Sequence, residues 1–86
     1  MNTYKLIIST PDGSVFDGDA EILVVRGTEG ELAIMAGHIP FITAVKACEC
    51  KIVLSETQEK TATIGGGILT VATGKTTLLC SDFQWN

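Results

Sequence analysis

The sequence predicts an all-β fold, a single β-sandwich of roughly eight to ten short strands forming one domain over residues 1–86. Three observations carry this expectation. Short β-branched apolar runs are spaced at about 8 to 12 residues by turn signals, among them Pro11-Asp12-Gly13, Asp17-Gly18, Gly30, Gly37, Gly65-Gly66-Gly67 and Thr73-Gly74-Lys75. Cys48 to Leu54 alternates with the period of a half-buried strand, with Cys48, Cys50, Ile52 and Leu54 on one face and Glu49, Lys51 and Val53 on the other. No window places apolar residues at i, i+3, i+4 and i+7 over the roughly 10 to 12 residues that an amphipathic helix needs.

Taken in order, Tyr4 to Ser9 is β-branched and apolar and ends at a turn in which Pro11 presets φ and Gly13 is free to take positive φ. Ser14-Val15-Phe16 is a brief strand, and Asp17-Gly18 is expected to turn again. Ala20 to Arg26 is predicted as one strand closed by Gly27, Glu31 to Met35 as a short strand, and Phe41 to Val45 as the strand resuming after Pro40. Ser55 to Glu59 is a polar hairpin tip leading into Lys60 to Ile64. The three glycines at 65–67 mark a bulge or a close approach of another backbone. They do not read as a phosphate loop, because no Lys-Ser/Thr follows and no helix begins there. Ile68 to Ala72 and Thr76 to Cys80 form the last hairpin.

Composition narrows the function. Of 86 residues, 45% are apolar, enough for one core and too many for disorder. A chain of this length buries only about 60% of its unfolded surface, so its stability is modest. A net charge of −4 argues against nucleic acid, which requires a surplus of Lys and Arg on one face. Asp12, Asp17, Asp19, Glu21, Glu29 and Glu31 are opposed within their stretch only by Arg26, so one end or face should be acidic and suit a basic or polar partner. No apolar run approaches the roughly 20 residues of a membrane span, and the N-terminal residues lack the pattern of a signal peptide. The expectation is a protein that stays where it is made, in a reducing compartment given its odd number of cysteines (Cys48, Cys50, Cys80).

Catalytic and metal patterns are weak. His38 is the sole candidate imidazole base, and no nucleophile-elbow pattern accompanies it. Cys48, Cys50, Cys80 and His38 offer soft ligands for zinc. However, a Cys-x-Cys step in a strand separates its residues by about 6.5 Å on one face, unlike a zinc knuckle, so buried thiols acting as small hydrophobes are favoured. Glu29 and Glu31 sit in a turn without an aromatic platform, and five aromatics (Tyr4, Phe16, Phe41, Phe83, Trp85) are too few for a sugar or single-strand platform. No cofactor and no catalytic activity are expected.

The densest segment is Gly27 to Lys46, GTEGELAIMAGHIPFITAVK, which contains His38, Pro40, two acids and two glycine turns. It closely resembles the diagnostic stretch of the epsilon subunits of F-type ATP synthases. The opening TPDGSVFDGDAEILVV and the later IGGGILTVATGKTTLLC resemble that family in the same order along nearly the whole chain. Ala36 stands where the family has the first proline of P-G-H-x-P, Ala33 replaces a glycine, and Lys46-Ala47-Cys48 replaces K-P-G; fewer rigid turn residues leave those loops less preorganised.

The resemblance implies a non-catalytic rotor subunit that couples ion flow through the c-ring to ATP synthesis by linking gamma to the ring. In the family a helical hairpin follows the sandwich and carries inhibition of hydrolysis; here the sequence ends at Asp82 to Asn86, and no C-terminal helical domain is expected. Carried over, Glu29, Glu31, Gly37, His38 and Pro40 are the residues facing the polar loops of the c-ring, and Met35, Ile39, Phe41 and Ile42 are apolar supports or gamma contacts. The implied location is the cytoplasmic face of a bacterial inner membrane, or its plastid thylakoid equivalent, with membrane association only through the complex. The alternative from a different class is a free-standing β-sandwich module that binds a peptide or small ligand at the His38 loop.

Overall fold

The computed structural model describes residues 2–86. Its strands are β1 (Tyr4–Thr10), β2 (Gly13–Ala20), β3 (Ile22–Gly27), β4 (Gly30–Met35), β5 (Phe41–Val45), β6 (Cys48–Ser55), β7 (Gln58–Ile64), β8 (Gly67–Ala72), β9 (Lys75–Cys80) and β10 (Phe83–Trp85). One layer runs β10-β7-β6-β3-β4, antiparallel throughout. The other runs β5-β8-β9-β1-β2, with β1 parallel to β9. A single pair, Gly27 with Val45, joins the layers into one ten-stranded sheet, reinforced by the Lys46 N–H donating to the Arg26 carbonyl at 2.8 Å. The result is a barrel-like sandwich, as the turn spacing predicts.

Alternation supplies the core. Leu6 and Ile8 of β1, Leu23 and Val25 of β3, Ile34 of β4, Ile52 of β6, Leu69 of β8 and Leu78 of β9 are fully buried between the layers. β6 keeps the expected parity: Cys50 and Ile52 are buried, while Glu49 and Lys51 are exposed. Tyr4 adds a polar tie across the sandwich. Its hydroxyl donates to the Ile34 carbonyl at 2.8 Å, and burial pushes the phenol well above its usual titration range. Tyr4→Phe is expected to cost about 1–3 kcal/mol, because the buried carbonyl loses a donor while the packing stays. A urea midpoint that falls at constant m would register it, and an unmoved midpoint would remove Tyr4 from the stabilising contacts.

Three local expectations need correction. Asp17-Gly18 is not a turn but part of β2, paired with Ile7 and Leu6 of β1; the ladder offered by β1 outweighs the turn propensity, and the strand absorbs Val15 as a bulge instead. Ala20 to Arg26 is not one strand. Ala20 and Leu23 both face the core, which a continuous period of two forbids. The chain bends at Glu21 and crosses from one layer to the other, with the Glu21 N–H donating to the Val53 carbonyl at 2.7 Å. Finally, Phe83–Trp85, for which no strand is predicted, forms the edge strand β10 against β7.

The glycine run behaves as expected. It forms the corner between β7 and β8, where Gly66 has φ +101° and a Cβ at Gly67 would overlap the Leu79 carbonyl oxygen of the neighbouring strand.

Candidate functional site

The residues singled out by sequence lie along the β3–β4 hairpin and the corner that follows it. Thr28-Glu29 is a two-residue turn between the paired Gly27 and Gly30, so Glu29 lies at the tip and Glu31 is the second residue of β4; both are exposed. At the other end of β4, Gly37 at φ +85° reverses the chain, and the His38 N–H donates to the Met35 carbonyl at 3.2 Å. His38 Nδ1 donates to the Ile39 carbonyl at 2.8 Å, which fixes the tautomer, and the imidazole lies 5.0 Å from the Phe41 ring centre to centre. The histidine therefore helps shape its own corner while standing exposed, with Pro40 beside it.

These residues do not form one patch. β4 runs six residues from Gly30 to Met35, ~17 Å of extended chain, so Glu29 and Glu31 sit at one end of it and Gly37, His38 and Pro40 beyond the other. The corner end opens on a cleft of about 820 Å³ lined by Tyr4, Met35, His38, Ile39, Thr73 and Lys75, among others. Of the apolar set, Ile39 is 78% and Ile42 71% exposed, Met35 is also exposed, and Phe41 is half-buried against the core.

Two further residues belong with Ile42. The register places Ala44 beside Ile68 and Ile68 beside Leu79, while Ile42 neighbours Thr70 and Thr70 neighbours Thr77. All six point outward across β5, β8 and β9. Ile68 (46% exposed) and Leu79 (53% exposed) make the middle of this face an apolar strip, with Lys75 at its end on β9. Sequence reading passed over both, although the signal was present: adjacent apolar residues, Ile68-Leu69 and Leu78-Leu79, give a strand two apolar faces, and only one can be the core.

The thiols do not assemble with the histidine. Among the described residues no group of three or more His, Cys, Asp or Glu side chains is placed to hold a metal ion. Cys50 is buried within the core, and burial pushes its thiol up to about 11, with the Cys48 and Cys80 thiolates acting in the same direction. Cys80 and Tyr4 shift upward as well. Well below pH 9 these groups are protonated in both folded and unfolded chains and add no pH dependence. Between about pH 9 and 11 the unfolded Cys50 loses a proton that the folded one keeps, so stability falls as pH rises, by up to ~1.4 kcal/mol per pH unit for that group. Denaturant midpoints at pH 8, 9 and 10 should decline, and Cys50→Ala should flatten the decline; equal slopes for both chains would contradict the assignment.

These features belong to an all-β domain, a ten-stranded sandwich with an apolar strip on one outer face and an exposed acidic hairpin tip. Residues 3–86 match the family described as ATP synthase, Delta/Epsilon chain, beta-sandwich domain, and the chain belongs to that family. It is 40% identical over 83 residues to the sodium ion specific ATP synthase epsilon chain of Acetobacterium woodii, covering 96% of this chain and 62% of that one. It is 38% identical over 84 residues to the ATP synthase epsilon chain of Bacillus licheniformis, covering 98% of this chain and 63% of that one. The chain thus spans about three-fifths of these curated relatives. The fold is also that of a chain in the Euglena gracilis mitochondrial ATP synthase, with a TM-score of 0.90 at 18% identity, covering 96% of this chain and 53% of that one.

Proposed function

We propose that this chain is the sandwich part of an epsilon-type subunit in the rotor of an F-type ATP synthase. It links gamma to the c-ring, so that ion-driven rotation of the ring turns the central stalk as one body. It contributes no catalytic residue and no cofactor, and it is held peripherally at the cytoplasmic face of a bacterial inner membrane through the complex. The observation that carries this reading is the family match across residues 3–86, which includes every surface described above.

The geometry divides the work. Glu29 at the hairpin tip, with Glu31 on its flank, suits basic or polar loops of the ring. His38, Gly37 and Pro40, beyond the far end of β4, line one cleft with Met35 and Ile39 and fit gamma better than the ring. The apolar strip of Ile42, Ile68 and Leu79 on the other layer offers gamma a second contact. Depleted charge over exposed apolar side chains is the composition of an interface core.

The test is a calorimetric titration of the chain against its cognate gamma subunit, followed by assembly of the pair on the c-ring. One-to-one binding to gamma is expected. Glu29→Lys is expected to leave gamma affinity unchanged and to weaken docking on the ring by roughly ten-fold, the size of one lost charged contact. His38→Ala should do the reverse while folding normally. No binding to a folded gamma would defeat the reading, and ring docking that depends on His38 but not on Glu29 would reverse the orientation.

A further inference from the structure

The sandwich leaves a six-residue sheet edge open along β4, which among the described residues pairs with β3 alone. Gly27 and Gly30 close a two-residue turn, so every second residue from Gly30 directs its backbone groups toward β3. Glu31, Ala33 and Met35 direct theirs away. The Met35 carbonyl accepts from the His38 N–H, outside the β3 ladder, as this parity requires. The same parity turns the Arg26 carbonyl away from β4, and it accepts from Lys46 on that side. The side chains of Glu31, Ala33 and Met35 are all exposed.

The other edges are shorter or blunted. β5 meets β3 only at Val45 on the side away from β8, but it is five residues long and begins directly after Pro40. β2 carries the Val15 bulge, Gly18 and two aspartates, Asp17 and Asp19. β10 is only three residues long, and Asn86 behind it is tied to Glu49 and Thr61. β4 is less protected: its six residues pair with β3 in unbroken register and include no lysine, proline or bulge, and Glu31 is its single charge. An edge of that kind is a template for another strand.

We propose that β4 accepts an extended strand from a partner in the stalk, supplied by gamma on the reading above, which lengthens this layer by one strand. The exposed row gives the chemistry of that strand. Met35 and Ile39 ask for apolar side chains at one end. Ala33 leaves room for close backbone approach in the middle. Glu31 is without an ion pair among the described residues, where Lys5–Asp17 is the pair formed, and it asks for Lys or Arg at the other end. A second copy of this chain fits poorly. Antiparallel self-pairing about Ala33 would set each Glu31 opposite a Met35 and bring together two chains of net charge −4.

Ala33→Pro tests this directly, since it deletes an outward N–H at an edge position that tolerates proline. Ala33→Thr is the control, because it keeps the N–H and a strand-forming side chain. Both are titrated against the purified cognate gamma subunit, and amide exchange is measured on the wild-type complex. The proline variant is expected to bind at least roughly ten-fold more weakly, the scale of one or two lost main-chain hydrogen bonds, and the threonine variant like wild type. The amides of Glu31, Ala33 and Met35 should exchange at least ~10-fold more slowly in the complex. If the proline variant does not fold, the exchange measurement decides. Equal affinity of a folded Ala33→Pro, or unchanged exchange at these amides, overturns strand addition and leaves the stalk reading standing. Failure of the wild type to bind gamma overturns both. A concentration-dependent dimer of the free chain, abolished by Ala33→Pro, assigns the edge to a second copy and overturns the proposal.

Discussion

Gly67→Ala is expected to unfold the domain or to lower its melting temperature by roughly 12–24 °C, corresponding to about 3 kcal/mol at 4–8 °C per kcal/mol for a domain of this size. The backbone of Gly67 does not adopt a left-handed conformation, so the cost is not one of φ. It comes from space: a Cβ would overlap the Leu79 carbonyl oxygen and lie 2.7 Å from the Cα of Cys80. Both atoms are backbone of β9, held opposite Gly67 by the β8–β9 ladder, so neither yields without breaking the pairing that closes the corner. Gly74→Ala gives the contrast. That glycine has φ +74° with open space around its Cβ direction, so alanine there costs only the local strain of ~1–2 kcal/mol. Thermal melts of the two variants decide the point, and a Gly67→Ala chain melting within a few degrees of wild type would mean that the strands separate easily.

The second large effect concerns the apolar face. Ile68→Lys combined with Leu79→Lys is expected to lower affinity for gamma by roughly 100-fold, about 2.7 kcal/mol, while leaving the melting temperature nearly unchanged. The two residues are cross-strand neighbours pointing outward, so no core contact is lost, and a desolvated interface would have to bury two charges. Thr63→Lys on the outer surface of the opposite layer should bind like wild type. If the double variant also binds like wild type, gamma does not sit on this face.

Much of the architecture was legible because it depends on a period of two. Cys48 to Ile52 announces its buried and exposed faces residue by residue, the alternation lapsing only at Val53 and Leu54 where the ladder to β7 slips, and the turn glycines punctuate the strands. The misread places are those where tertiary pairing overrides a local signal. Asp17-Gly18 has the composition of a turn, yet β1 holds it in register. Glu21 is a crossing point visible only as a phase slip between Ala20 and Leu23. For the candidate site the sequence offers a list of residues and no arrangement. Nothing in a linear motif reveals that a straight strand holds Glu31 and His38 apart, or that Ile42 shares a face with Ile68 and Leu79, which come from other strands. Those relations belong to register, which long-range pairing sets.

Opposite the glycine corner's role in joining the layers, the two outermost strands β2 and β10 meet without a backbone ladder, through the Phe16 and Trp85 rings, 6.3 Å apart and edge to face. Phe83 packs on the same indole at 4.7 Å, and the Lys60 ammonium lies over it at 5.1 Å. Trp85 is the chain's single tryptophan, so its ultraviolet emission comes from this junction alone. The molecule thus carries an intrinsic optical gauge: a change in emission that precedes the loss of backbone circular dichroism would time the parting of the two layers before the strands themselves dissolve.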